Sequence, residues 1–218
     1  TSARPADGDV PEAIARIAKE SGAELTMIAT RGRSGMTRML LGSVTTGVVH
    51  AIDGAMLVVK AGTGSGETPS VRRVLLTLDG SEQAEAAIPQ AVWVTQGFGA
   101  TLNLIQVAPL AATMLAGAPG VVLPSNLDEQ IEQSAADYLR GAAKKLPQDL
   151  PVEMHVLRGP VADEILDHAE HTHADLIVMS TRGRSGVARW TLGSTADRVL
   201  RGGSTPVLLV RAQGEGGA

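Results

Sequence analysis

The chain has 218 residues, 44% of them hydrophobic and 19% charged, with a formal charge of −4; such numbers suit one or two ordinary globular domains with a real core. Aromatic residues make up 2% and cysteine is absent, which excludes disulfides, thiol catalysis and cysteine-based metal centres, fits a reducing, cytoplasmic compartment, and leaves the core to Leu, Val, Ile, Ala and Met. An acidic balance without aromatic platforms argues against a nucleic-acid surface. No apolar run reaches the length of a bilayer span, and residues 1–10 carry no signal-peptide pattern.

Residues 9–60 read as helix, strand, glycine loop, helix and strand. The apolar run Leu25, Thr26, Met27, Ile28 leads into Thr30, Arg31, Gly32, Arg33, Ser34 and Gly35, with Leu41, Gly42 and Ser43 after them. The phrase returns 151 residues later, as Thr181, Arg182, Gly183, Arg184, Ser185 and Gly186, with Leu192, Gly193 and Ser194 after them. The correspondence runs without a gap from about Gly8 and Gly159 to Lys60 and Arg211. A strand that ends in glycines and feeds a helix aims backbone N–H groups at an anion. The repeat therefore marks a candidate phosphate site and a protein built from related α/β units. Only the back part of the second unit has a counterpart in the first. Residues 1–62 are accordingly expected to be the C-terminal half of one unit whose front is missing, 63–72 a Gly/Ser/Thr/Pro linker, and 73–212 a complete unit.

The complete unit alternates strand and helix. Residues 73–78 form a short apolar strand, and Asp79, Gly80 and Ser81 mark a turn and helix start. The helix that follows places Ala84, Ala87, Ile88, Ala91 and Val92 on one face, with Pro89 inside it to bend it or free a carbonyl. Residues 101–107 are the second strand. The apolar, Gly/Pro-rich stretch 109–124 is read as a mobile or partner-contacting loop in preference to a lid. A helix over 126–145 buries Leu127, Ile131, Tyr138, Leu139 and Ala142, and Ser125 with Asp128 suggests a variant capping box. Then come a strand at 152–157, a helix at 161–171 with Val161, Ile165 and Ala169 inward, a strand at 175–180, a helix at 195–201 and a strand at 206–210. Five strands separated by helices predict a doubly wound parallel sheet with helices on both faces.

Ligands of such sheets sit beyond the carboxyl ends of the strands, where strand order reverses. Asp79 follows the first strand of the complete unit and residues 180–186 follow the fourth. If those strands are neighbours, the Asp79 carboxylate faces the glycine loop. It would then accept hydrogen bonds from a ribose or hold a divalent cation. Gly183 and Gly193 would let the backbone approach phosphates, and the Ser194 hydroxyl would add a donor.

Gly183, nine further residues, Gly193 and Ser194 reproduce the latter part of a G-x2-G-x9-G-[ST] motif, and Gly32, Gly42 and Ser43 do so again. Together with the acidic turn at Asp79, this resembles the universal stress protein family. The resemblance covers residues 72–211 as one full unit and 9–60 as the back half of another. It implies a Rossmann-like fold of the adenine nucleotide alpha hydrolase type, with ATP as ligand, Mg or Mn beside it at Asp79, and a regulatory role in the stress response. Adenine would lie against Val107 and ribose near Asp79. Phosphates would lie on Gly183, Gly193, Ser194 and Thr195, with Thr77, Met179, Ser180, Arg184 and Gly186 completing the site. Hydrolysis, if any, would be slow, because no general base beyond Asp79 is in place. The family also implies a homodimer, or intramolecular pairing, through the last strands, here 207–210 against 57–59.

The departures are Ser180 and Ala29, which stand where the motif has its first glycine. Binding is expected to survive in the second unit, since serine is small and donates a hydrogen bond. The first unit has no counterpart of Asp79 or Val107, and its loop would take at most a phosphate or sulfate. Two other readings are a dimerising scaffold that binds no nucleotide, and a soluble regulatory portion of a membrane transporter. Exposed Arg182 and Arg184 are as easily solvated as phosphate-bound. His168, His171 and His173, with Asp167 and Glu170, read as a wet polar helix face in preference to a metal site. Ser81 has no partner that would make it a nucleophile, and neither a P-loop nor a G-x-G-x-x-G after the first strand is present.

Overall fold

Near-continuous apolar runs such as 74–78 and 176–179 are what strands covered on both faces require, and the computed structural model is built on them. It describes residues 8–31, 41–61, 70–110, 124–181 and 192–211. The strands are β1 (Leu25–Arg31), β2 (Ala55–Ala61), β3 (Arg73–Leu78), β4 (Thr101–Ala108), β5 (Val152–Arg158), β6 (Leu176–Ser180) and β7 (Val207–Val210). The described helices are α1 (Val10–Glu20), α2 (Ser43–Ala51), α3 (Glu82–Glu85), α4 (Ile88–Phe98), α5 (Leu127–Ala143), α6 (Val161–His171) and α7 (Ser194–Gly202). The strands make one seven-stranded sheet in the order β1-β2-β7-β6-β3-β4-β5. No described helix is long and apolar enough to cross a membrane.

From β7 to β5 every neighbouring pair is parallel, as expected for the complete unit. Strand order reverses between β3 and β6, which pair through Val74↔Leu176, Leu75↔Ile177 and Leu76↔Val178. Asp175 holds that junction at its base. Its carboxylate accepts from the backbone N–H of Arg72 (2.7 Å) and Arg73 (2.9 Å), while its own N–H donates to the Arg73 carbonyl at 2.9 Å. Side chains then alternate between two cores. Leu75, Ile105, Ile177 and Met179 pack with α2, α6 and α7 on one face. Val74, Leu76, Leu104 and Val178 pack with α3, α4 and α5 on the other.

Local details depart from the sequence expectation in three places. Pro89 does not bend one helix but falls in the first turn of a second one, where its missing N–H is not needed; α3 ends at Glu85 and α4 begins at Ile88. The capping box at Ser125 does not form, because the N-cap of α5 is Asn126 and no side chain caps that end. Val161, expected inward, is 39% exposed, and Ala162 takes the buried position beside Ile165 and Ala169.

The seam between the two repeats is antiparallel. β2 pairs with β7 through Met56↔Leu209, Leu57↔Leu208 and Val58↔Val207. Leu57 and Leu208 are repeat equivalents, so the seam has a local two-fold axis between them, one residue from the expected 57–59 edge. This is the intramolecular form of last-strand pairing, and it buries edges that would otherwise template association. The axis also relates two cations. Lys60 Nζ donates to the carbonyls of Arg201, at 3.1 Å, and Gly203, at the end of α7. Its equivalent Arg211 donates to the carbonyl of Ile52 (2.6 Å) and to Asp53 (2.9 Å), at the end of α2. Each repeat thus closes the carbonyl end of the other repeat's helix, where positive charge is favoured. Burial lowers the Lys60 pKa.

Replacing either cation with methionine is expected to cost about 1 kcal/mol of stability, with the two losses additive because the sites are separate. Urea unfolding of Lys60→Met, Arg211→Met and the double variant measures this; an unchanged midpoint for both single variants would contradict the cross-capping.

Candidate functional site

The carboxyl ends of β3, β4 and β6 and the start of α7 open on one cleft of about 620 Å³. Thr77 and Asp79 come from the end of β3, Val107 from the end of β4, Met179 and Ser180 from β6, and Gly193, Ser194 and Thr195 from the start of α7; all of them line it. β3 and β6 are neighbours, so the condition set by the sequence is met, and Asp79 lines the same cleft as the start of α7. Gly183, Arg184 and Gly186 lie outside the described residues, as does Gly32 of the first repeat.

The Asp79 carboxylate is oriented locally. Its Oδ1 accepts from the Ser81 N–H at 3.0 Å and the Ser81 hydroxyl at 2.5 Å. Gly80, at φ +84°, makes the turn that allows this, a backbone region glycine adopts readily. Ser81 Oγ in turn accepts from the Ala84 N–H at 3.2 Å and caps α3. The hydroxyl thereby serves the turn and the helix cap at once. Beside this turn, Tyr138 donates to Glu85 at 3.1 Å. Burial first, then the carboxylates of Glu85 and Asp79, push the phenol far above its usual range and keep it a neutral donor.

Gly193 is the N-cap of α7, and no described side chain caps that end. The Gly193 N–H donates to the Thr181 carbonyl at 2.9 Å, and Thr181 N–H donates to the Val210 carbonyl, also at 2.9 Å. A Cβ on Gly193 would sit 3.2 Å from the Thr181 carbonyl oxygen, so the close approach depends on glycine. The first N–H groups of α7 and the positive end of its dipole border the cleft. Ser180, where the motif has glycine, is buried at 7% exposure and still lines the opening.

Several lining residues were not visible in the sequence reading. Gln130, Ile131 and Ser134 form one stripe of α5, and Val161 and Ile165 come from α6. Val161 owes its exposure to that position. Gln106 is 8% exposed, lines the same cleft, and its Oε1 has no partner among the described residues. The available signal was weak, because Gln106 shares its strand with a second buried polar residue, Asn103. Asp79 is the one residue singled out for a cation, and no group of three His, Cys, Asp or Glu side chains suited to a metal occurs among the described residues.

The helix face read as wet behaves differently at its three histidines. His171 and His173 are exposed, but His168 turns inward and packs against His155 of β5, with ring centroids 4.8 Å apart. Burial, then the nearby His155 and His171, hold the His168 pKa below its ordinary value.

A doubly wound parallel sheet with an acidic turn and a glycine-preceded helix start lining one cleft at the strand-order reversal defines the class of α/β proteins that bind ligands at a switch point. Comparison with known proteins places the chain within that class. The model of the universal stress protein family matches residues 3–60 and 70–211, and the chain belongs to that family. A universal stress protein of Methanocaldococcus jannaschii is 31% identical over 147 residues, 64% of this chain and 82% of its own length. One from Mycolicibacterium smegmatis is 30% identical over 209 residues, 92% of this chain. The chain spans 66% of the length of that mycobacterial relative. Among solved structures, a universal stress protein from Archaeoglobus fulgidus superposes with a TM-score of 0.65 at 26% identity, covering 91% of this chain and 66% of that one.

Because the folded His168 pKa is lowered, its contribution to stability is full above about pH 6.5 and is lost as pH falls from there toward the folded pKa. His168→Gln is expected to flatten that acid-side decline. Thermal melts of both proteins from neutral to mildly acidic pH test it, and equal slopes would refute it.

Proposed function

We propose that the chain is an adenine-nucleotide-binding module of the stress response, with ATP as its ligand, acting by nucleotide occupancy and not by rapid turnover. The observation that supports this reading is that Asp79 and the start of α7, which no described side chain caps, line one cleft. A carboxylate in such a cleft suits ribose hydroxyls, and the N–H groups of a helix start suit phosphate oxygens.

In this reading adenine lies against Val107, with its edge on backbone groups at the end of β4. Thr77 and Met179 form the walls beside it. Ribose hydroxyls donate to Asp79, whose orientation the Ser81 bonds maintain. Phosphates lie on Gly193, Ser194 and Thr195, and Gly183, Arg184 and Gly186 complete their cradle. Asp79 is also the residue to hold a Mg or Mn ion, whose charge would offset that of the phosphates. Asp79 is the one candidate general base we assign among the described lining residues, and in this reading catalysis is at most slow. Ser180 fits this scheme as a small donor beneath the phosphates. We place the protein in the cytoplasm, and we assign the last strands to pairing within the chain instead of a homodimer, because β2 already covers the free edge of β7.

Ser180 in the first glycine position favours one other reading, a scaffold that binds no nucleotide. The two separate cleanly. Protein purified without added nucleotide and then denatured should release about one adenine nucleotide per chain, read by mass spectrometry, or bind Mg-ATP in calorimetry. Gly193→Val, which forces side-chain atoms against the Thr181 carbonyl, and Asp79→Ala should each weaken binding by at least about tenfold, or 1.4 kcal/mol. Absence of both released nucleotide and a heat signal would leave the scaffold.

A further inference from the structure

His155 and His168 are brought together by the packing of α6 on the edge strand β5. Their ring planes are tilted by 53° with centroids 4.8 Å apart. The Nε2 atoms of both are closed off from solvent, and neither has a hydrogen-bond partner among the described residues. A buried polar atom left unpaired costs about 1–3 kcal/mol, and two such atoms on adjacent rings call for a group that both can bind. Two imidazoles that hold one ion through Nε2 at about 2.0–2.1 Å have centroids about 4.5–5.2 Å apart for ligand angles near 90–110°. The observed spacing falls inside that interval. A third donor is within reach. Glu153 precedes His155 by two residues, on the same face of β5. Its Oε2 lies 3.7 Å from His155 Nε2, and its side chain is 61% exposed and so able to rotate.

We propose that His155 and His168, joined by Glu153, form a binding site for a divalent transition-metal ion of the zinc type. The two imidazoles are the preorganised part. No three such side chains stand ready around one point among the described residues, so Glu153 closes on the ion by a change of rotamer and water takes the remaining position. Imidazole nitrogen selects zinc, nickel, cobalt or copper over magnesium and calcium, which want oxygen. The site is separate from the cleft at the switch point and independent of any nucleotide. Bound metal would tie the exposed edge strand β5 to α6. His171 is exposed and is left outside the ligand set.

The test uses the full chain, stripped with a chelator and free of nucleotide. Zinc is titrated in competition with a chromophoric chelator at mildly alkaline pH, because metal binding competes with protons for its ligands. One zinc per chain at micromolar affinity or tighter is expected. His155→Gln and His168→Gln should each weaken it by at least about tenfold, Glu153→Gln should weaken it less, and His171→Gln should leave it unchanged. Zinc should also raise the melting temperature of the parent chain and not that of His168→Gln, provided circular dichroism shows the variant folded. Magnesium in excess should not compete. Failure to bind zinc at sub-millimolar metal, or binding that survives both histidine substitutions, would overturn the proposal.

Discussion

The parallel pairing of β3 with β6 is the constraint on which the rest depends. Parallel neighbours cannot be joined by a hairpin, so every connection must cross over a face of the sheet. When the first strand of the unit acquires β4 on one side and β6 on the other, the crossovers divide between the two faces. That division produces two cores, with α6 and α7 on one side and α3, α4 and α5 on the other. The same pairing opens a gap between diverging connections, and Asp79 and Gly193 both line it. Asp175 fastens the opposite end of the pair with its carboxylate. The site is thus a by-product of strand order, furnished by the residues that happen to end the strands.

The second organising contact is the antiparallel seam. A parallel sheet that ends on an apolar strand such as β7 exposes a row of unpaired backbone groups. A related strand is supplied by the repeat, and a two-fold arrangement lets each member offer the other the same surface. Lys60 and Arg211 show that this equivalence extends past the backbone, since each reaches the helix end that the other's repeat presents. The repeats are not equal in cover, however. Leu25 and Met27 of β1 lie on the face that α3, α4 and α5 cover in the complete unit, and Met27 is 65% exposed.

Most of the architecture was legible in the chain. The runs at 73–78, 101–107 and 175–180 are apolar enough to be strands and too short to be helices, and the spacing of Ala84, Ala87 and Ala91 has helical period. The glycine phrase located the loops because its spacing repeats. Detail failed where a local preference met a competing one. Pro89 satisfied the helical pattern around it but could not donate, so the chain made two helices. Ser125 had the right neighbours for a cap, yet Asn126 occupied the position. His168 sat on a polar helix face and still turned inward, because α6 packs against β5 and its partner His155 lies on a different element. The lining contributed by Gln106 and by the α5 stripe was hidden for a similar reason: contacts across a fold leave no spacing in the sequence.

The sequence by itself determined the kind of elements, their order, the repeat, and the chemical groups at the strand ends, because these follow from local periodicity, backbone preference and residue type. Only the tertiary structure decided which strand ends meet, in what register β2 closes the edge of β7, and that the rings of two histidines from separate elements come together. Those outcomes depend on the pairing of segments far apart in the chain. Pairing is selected by the simultaneous burial of whole faces, and no single stretch of residues carries that information.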